Sequence, residues 1–178
     1  MAASTCPITG GYNFGCRTNQ GGIKTVYVGM WNDTLTTFTY GTLSQANEII
    51  AVGGATVSFY TVNQRQEQGM ADYQPVFAPN GGVSYDHVVS LVIERPDNLV
   101  TNWMNILDQG LWRIIVLDSL SQYWMYGLQN GAYTTGGQGG PGGKIADTNK
   151  AVVAFKALEP SRPVLLSNNA ALSLITGP

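Results

Sequence analysis

The sequence predicts a mainly β domain, an antiparallel β-sandwich or small barrel with one flanking α-helix. Short runs rich in β-branched and aromatic residues recur along the chain, separated by Gly, Pro, Asn and Asp turn signals. Only one segment has convincing helical periodicity. A single amphipathic helix beside several antiparallel strands is typical of a sheet or barrel on which the helix packs.

The predicted sheet is organised around a hairpin within residues 111–133. Its first strand, residues 112–117, is almost continuously apolar and β-branched, as expected of a strand buried on both faces. Its second strand, residues 122–128, is rich in aromatic residues, which suit a pleated, half-buried surface. The break at residues 118–121 contains Asp and Ser and can close an antiparallel hairpin.

The chain before this hairpin is predicted to start with an arm and to continue with four strands. Residues 1–22 are small, polar and Gly-rich without sustained periodicity, so we expect an N-terminal arm there. Alternation, Thr and aromatic content, and turn signals place the strands that follow. These predicted strands are residues 23–31, 34–40, 47–52 and 55–62.

Residues 63–84 interrupt the strand pattern and are predicted to form a projecting loop. Pro75, Pro79 and Gly81-Gly82 break the segment, and loops this long inside a compact domain are commonly functional or disordered. Charged, amide and aromatic side chains mix here, which favours an arm that docks on a neighbouring subunit; a plain flexible loop is the equal alternative. The candidate subunit-contact residues are Arg65, Glu67, Met70, Tyr73 and Phe77.

The longest alternating run, residues 85–95, is predicted to be a strand that leads into the helix. The helix is predicted over residues 98–109, where apolar residues recur at helical spacing. Asp97 is available as its N-cap and Gly110 as its stop.

Behind the central hairpin the sequence predicts a glycine-rich loop, two strands and a tail. The loop covers residues 129–149, the strands are residues 151–158 and the short 164–166, and residues 167–178 form the C-terminal tail. The β domain therefore spans residues 23–166.

Charged residues make up only 11% of the chain, against roughly 25% in an ordinary soluble domain. Large permanent interfaces deplete charge at their centres, so we expect much of the surface to be buried against other copies of the chain. A polar but uncharged surface of Thr, Ser, Asn and Gln is the alternative.

The charge balance and the absence of long apolar runs exclude other classes. The net charge is −2 and no Lys/Arg cluster occurs, whereas tight nucleic-acid binding needs several cations together. No run of 18 or more apolar residues predicts a membrane span, and the first residues lack a signal-peptide pattern. We expect a protein made in a cytoplasm.

The sequence predicts no catalytic, metal or cofactor site, and hence no enzyme. His87 is the only histidine and lies among apolar neighbours, with Asp86 on the opposite face of the strand, so a triad is not favoured. Cys6 and Cys16 form neither a CxxC pair nor half of a zinc set, and reduced thiols are the expected state. A bond between them is the alternative if residues 7–15 form a tight loop.

The glycine-rich loop and the acidic residues also lack a reactive pattern. Aligned on the P-loop pattern, the loop has Gln138 in place of the first glycine and Ile145 in place of Ser/Thr, so the match fails. The carboxylates are scattered, and nothing marks a glycosidase pair among them.

The order of the elements and three short motifs carry a resemblance. A long strand and one helix precede the hairpin, whose end reads YWMYGLQNGAY; a glycine-rich loop, Asp147-Thr148-Asn149-Lys150 and Leu158-Glu159-Pro160 follow. Over residues 23–166 the chain resembles the tail tube proteins of tailed bacteriophages.

The resemblance implies a structural virion protein of the phage tail, made in the host cytoplasm. It implies a β-sandwich or small barrel with a helix, and six copies that close into a ring. Rings would stack into a tube, contact other tail or connector proteins, and let DNA pass without specific binding. Related ring proteins of the head–tail junction share this fold and are an alternative.

Two readings from other classes stay open. A carbohydrate- or host-surface-binding β module is motivated by Trp31, Trp103, Trp112, Trp124 and the nine tyrosines, although these aromatics are better explained as core. A hydrolase that uses scattered carboxylates is the other.

Overall fold

In the computed structural model, residues 21–31, 37–42, 47–53, 57–65, 68–79, 82–94, 97–140 and 149–175 are described. They form eleven strands and two helices. The strands are β1 (Ile23–Met30), β2 (Thr37–Tyr40), β3 (Glu48–Gly53), β4 (Phe59–Asn63), β5 (Met70–Phe77), β6 (Val83–Glu94), β7 (Trp112–Asp118), β8 (Tyr123–Tyr126), β9 (Tyr133–Gly140), β10 (Lys150–Glu159) and β11 (Val164–Leu166). The helices are α1 (Asn98–Leu107) and α2 (Asn168–Leu174).

Two sheets pack face to face, so the predicted mainly β sandwich is confirmed. One sheet has the order β2-β3-β11-β8-β7-β1-β4, and the other has the order β5-β6-β10-β9. All pairings are antiparallel except that of β11 with β3. Within the described residues neither sheet closes into a barrel.

The predicted hairpin, β7 with β8, lies in the middle of the seven-stranded sheet. Ile114 and Val116 of β7 belong to the core between the two sheets, whereas Ile115 belongs to a second core beneath α2. Both faces of β7 are therefore covered, which explains why its sequence is continuously apolar rather than alternating.

The core between the sheets is built mainly from inward-facing residues of β1, β6, β7 and β10, with Tyr126 of β8 and Leu107 of α1 added. It includes Val26 and Val28 from β1, Ile114 and Val116 from β7, Val89 and Leu91 from β6, and Val153 and Phe155 from β10. The period-2 alternation of β6 and β10 places these side chains on one face. Their burial is the main apolar contribution to stability.

Helix α1 starts at its predicted residue and ends two residues before the predicted end. The Asp97 side chain accepts a hydrogen bond from the Val100 backbone N–H at 2.8 Å, as an N-cap does. Trp103, Met104 and Leu107 pack on the core between the sheets. The other apolar row of the helix, Leu99 and Ile106, is exposed.

The prediction of a long loop over residues 63–84 is wrong. Residues 70–77 are strand β5, which pairs along β6 from Met70–Ser90 to Phe77–Val83. Pro75 is compatible with this strand because β5 lies at a sheet edge, where an N–H can be missing. Pairing with β6 therefore overrides the local break signals.

The prediction of a glycine-rich loop directly after the hairpin is also wrong in part. Residues 133–140 form strand β9, which pairs with β10 through a register shift at Ala154/Phe155. A side chain at Gly137 would collide with the Val152 carbonyl oxygen, so glycine is what allows β9 to lie this close to β10. Residues 141–148 of the predicted loop lie outside the described residues.

A second helix, α2, forms in the predicted C-terminal tail. Ser167 caps it by accepting from the Ala170 backbone N–H at 3.2 Å, and Ala170, Ala171 and Leu174 are buried. The helix is shorter than two turns, so its formation depends on this packing rather than on propensity. Most of the predicted N-terminal arm, residues 1–20, with Cys6 and Cys16, lies outside the described residues.

Candidate functional site

The four-stranded sheet has one face in the core and one face that no described element covers. Side chains that alternate with the core residues of β6 and β10 point outward, among them Val88, Val92 and Val152. These valines are only half-buried and belong to neither core cluster. We refer to this surface, together with the outward side chains of β5 and β9, as the open face.

The charges on and beside the open face are balanced and mostly paired. Lys156 Nζ lies 2.7 Å from Asp86 Oδ2 on the neighbouring strand. Arg65 Nη2 lies 2.8 Å from Glu94 Oε2 at the end of β6. The acids of this surface are Asp72, Asp86 and Glu94, and the bases are Arg65, Lys150 and Lys156. The open face thus has no net cationic field to hold a polyanion.

Both edges of this sheet are unpaired in the described residues, because β5 pairs only with β6 and β9 pairs only with β10. Exposed edges are templates for pairing with another chain, and proteins usually protect them with charges, proline or a covering element. Strand β9 contains no charged residue and no proline, and half of its eight residues are glycine. Its backbone is therefore open to close approach by another strand.

Of the predicted subunit-contact residues, Met70, Tyr73 and Phe77 lie on β5, and these three do not share one face. Met70 projects from the open face and is 53% exposed. Tyr73 and Phe77 project to the opposite side, where Phe77 is 73% exposed at the end of the strand. Arg65, just before β5, is engaged by Glu94, and Glu67 lies outside the described residues.

The turn between β5 and β6 carries an apolar tip that was not predicted. Val76, Phe77 and Val83 are exposed there, and the Ala78 backbone N–H donates to the Gly82 carbonyl at 2.8 Å across the turn. Apolar residues on both sides of a Pro-Asn-Gly-Gly break are a hairpin signal in the sequence. We call Val76, Phe77 and Val83 the hairpin tip.

Two of the motifs behind the resemblance contact each other and tie the two sheets together. Glu159, at the end of β10, is 1% exposed. Its carboxylate accepts from the backbone N–H groups of Gln129 and Asn130 at 2.9–3.2 Å. The Asn130 side chain in turn donates to the Leu158 carbonyl. The Leu-Glu-Pro piece and the Gly-Leu-Gln-Asn-Gly piece therefore form one structural junction.

Arg113 completes this junction from β7. It is 3% exposed, its Nε donates to the Leu128 carbonyl at 3.0 Å, and its guanidinium lies 5.5 Å from the Trp31 ring centroid. Burial raises the pKa of Glu159, opposed by the backbone N–H groups and by Arg113. The group is enclosed and fully engaged, which fits a structural role rather than acid–base chemistry.

His87 is buried in the core, as its strand position predicted. Its Nε2 lies 3.0 Å from the Ser161 carbonyl and its ring meets the Tyr126 ring edge to face. Burial lowers the pKa of His87 against the influence of Ser161 and Asp86. No nucleophile contacts it among the described residues.

The tryptophans are structural. The indole N–H groups of Trp31, Trp112 and Trp124 donate to Gln129 O, Leu107 O and Asp118 Oδ2 at 2.8–3.1 Å, and Trp103 packs on the core. They do not form a stacking platform.

Within the described ranges, no group of three or more His, Cys, Asp or Glu residues is placed to hold a metal ion. Neither α1 nor α2 is long and apolar enough to span a membrane. Comparisons with protein-family models, with curated proteins and with solved structures gave no match for this chain.

Proposed function

We propose that this chain is a structural, non-enzymatic virion protein whose copies close into rings, and that the rings stack into a phage tail tube for DNA passage. The observation that carries the proposal is the four-stranded sheet: among the described residues nothing pairs with its two edges or covers its charge-balanced outer face.

Ring closure would bring the β9 edge of one copy beside the β5 edge of the next. This contact is heterologous, because two different surfaces meet, and heterologous contacts close rings when the rotation permits. The four-stranded sheets would then join into one barrel whose wall is the open face. The resemblance to tail tube proteins implies six copies per ring.

The charge distribution fits a conduit. A channel wall that held DNA by phosphate contacts would slow its passage, and each added phosphate contact strengthens binding. The bases of the open face are matched by acids, and the chain as a whole has a net charge of −2. The low charge of the remaining surface fits further contacts with neighbouring copies and with other tail proteins.

Negative-stain electron microscopy and light scattering of the purified protein test the proposal. We expect rings or tubes, and a protein that stays monomeric at high concentration would contradict it. Rings that never stack would favour the head–tail junction alternative instead.

A variant of the β9 edge tests where the ring contact lies. Gly140→Lys places a charge on an edge position with open space around it, so the fold should persist while ring formation falls. Leu120→Lys, on the exposed β7–β8 turn, is the matched control. Equal assembly of both variants would exclude the β9 edge as the ring contact.

A further inference from the structure

A cleft with a volume of about 680 Å³ lies between the two sheets at the β5 side of the molecule. Its walls are aromatic and neutral polar side chains together with a proline-flanked loop. They include Tyr40, Tyr73, Tyr85, Trp124, Asn47 and Gln129, and the loop is residues 160–163. This volume lies within the range of small-ligand sites, which join apolar walls to a few placed polar groups.

Among the described residues, Arg162 is the only charged one that lines this cleft. Its guanidinium carbon lies 5.9 Å from the Tyr73 ring centroid and 5.6 Å from the Tyr85 ring centroid. The described residues supply no carboxylate for an ion pair with it, unlike Arg65 and Lys156. The cleft therefore offers one positive charge that no described carboxylate neutralises.

The loop that carries Arg162 is held in place from both sides. Pro160 and Pro163 fix the backbone on either side of it. The Ser161 carbonyl is held by His87 Nε2 at 3.0 Å, and the preceding Glu159 is locked in the sheet junction. Because the loop is fixed before binding, little conformational entropy is lost when a ligand contacts the guanidinium.

We propose that this cleft binds an acidic saccharide, an oligosaccharide that carries a carboxylate on a sugar ring. The guanidinium pairs with the carboxylate, for which its planar fork is suited. Tyr40 and Trp124 add apolar aromatic area to the cleft wall, against which the C–H groups of a sugar can pack. The amides of Asn47 and Gln129 both donate and accept, which matches neighbouring hydroxyl groups.

The residues that line the cleft disfavour two other ligands, a nucleic acid and an extended peptide. One cation cannot neutralise the several phosphates that nucleic-acid binding requires. A peptide strand would need backbone donors along the cleft wall, and Pro160 and Pro163 have none. The saccharide site does not depend on ring assembly.

Calorimetric titration of the full-length protein with trigalacturonate tests the proposal, and the methyl-esterified trisaccharide serves as the uncharged probe. We expect saturable binding of the acid and at least tenfold weaker binding of the ester. Arg162→Gln should weaken trigalacturonate binding at least tenfold, because it removes one charge-assisted pair. Lys24→Gln, which removes an exposed cation outside the cleft, should leave binding unchanged.

Three outcomes would overturn the proposal. These are no saturable binding of trigalacturonate, equal binding of acid and ester, and tighter binding of a triglutamate peptide than of trigalacturonate. The last outcome would assign the cleft to an acidic peptide. An unchanged melting temperature of Arg162→Gln confirms that lost binding is not lost folding, and light scattering on the same samples reports the assembly state separately.

Discussion

Glu159 concentrates a large electrostatic cost at one residue of the sheet junction. An ionised carboxylate in the interior is tolerated only where hydrogen bonds and charge compensate its lost hydration. Here the backbone N–H groups of Gln129, Asn130 and Gly131 and the guanidinium of Arg113 offset part of that cost, and burial still raises the pKa of Glu159. Removing the carboxylate would leave these N–H donors and the guanidinium without their acceptor.

We predict that Glu159→Gln destabilises the fold by about 1–3 kcal/mol, since an amide N–H would face backbone donors. Burial raises the pKa of Glu159 above 4.5. Its linked contribution to stability is therefore full below pH 4.5 and is lost as pH rises through the folded pKa. Urea unfolding of wild type and Glu159→Gln at pH 4.5 and above should show that the free energy of unfolding declines less with rising pH in the variant. Asp108→Asn, at an exposed position, is the control, and parallel pH curves for wild type and Glu159→Gln would contradict the prediction.

His87 gives the opposite pH dependence. Burial lowers its pKa below 6.5, so its contribution to stability is full above pH 6.5 and is lost as pH falls through the folded pKa. We predict that the melting temperature falls between about pH 7 and pH 5, and that His87→Gln removes part of this fall. Because His87 is the only histidine, the difference between the two curves reports this residue. Wild-type and His87→Gln curves that run parallel between pH 7 and pH 5 would refute the prediction.

The residue patterns predicted which side chains share a face of a strand, but not which distant residues contact each other between the sheets. Alternation along β6 placed His87 and Asp86 on opposite faces, and burial confirms it. The contact of Glu159 with Gln129 and Asn130 joins residues about thirty positions apart, and no local pattern states which backbone amides will meet. The cleft around Arg162 was not predicted either, because the residues that line it are distant from one another in the sequence.

At the scale of elements, local signals failed where pairing decides the structure. β6, β10 and α1 were predictable because burial on one face imposes a period on their sequences, and β7 because burial on both faces makes its sequence continuously apolar. The edge strands β5 and β9 have little or no such period, since most of their side chains are exposed. Their prolines and glycines therefore indicated loops, whereas hydrogen bonding to β6 and β10 makes them strands.

The glycines of β9 provide a matched pair for testing this explanation. A Cβ at Gly137 would collide with the Val152 carbonyl oxygen, whereas a Cβ at Gly140 meets nothing within 4 Å. We predict that Gly137→Ala destabilises the fold by about 1–3 kcal/mol through displacement of β9. Gly140→Ala should be neutral or stabilising by about 0.4–1 kcal/mol, because alanine restricts the unfolded chain. Chemical denaturation measures both, and equal effects would show that close approach of β9 to β10 is not what selects glycine.

At the scale of the whole molecule, exposed apolar side chains occur on both sheets and both helices, and five of them lie on strands β5 and β6. The hairpin tip exposes Phe77 and Val83, β5 exposes Met70 and Tyr73, and β9 begins with exposed Tyr133. Contiguous exposed apolar surface is a mark of interaction sites. The low charge of the sequence predicts buried surface without saying where it lies. The pairing of β5 with β6 places exposed apolar side chains together at the hairpin tip.

A single substitution at the hairpin tip tests whether this apolar surface contacts a neighbouring copy. Deleting residues 63–84 would remove an edge strand of the sheet, so a point change is more informative. Phe77 is 73% exposed, and we predict that Phe77→Asn changes the free energy of unfolding of the dissociated subunit by no more than about 0.5 kcal/mol. If the tip contacts a neighbouring copy, losing the aromatic anchor costs more than about 1 kcal/mol at each interface. Light scattering over a dilution series should then show assemblies that dissociate at least fivefold more readily than those of Leu120→Asn, an exposed apolar control on the β7–β8 turn. If Phe77→Asn assemblies dissociate at the same protein concentration as wild-type assemblies, the hairpin tip is not part of the subunit contact. The β9 edge would then be the surface to test.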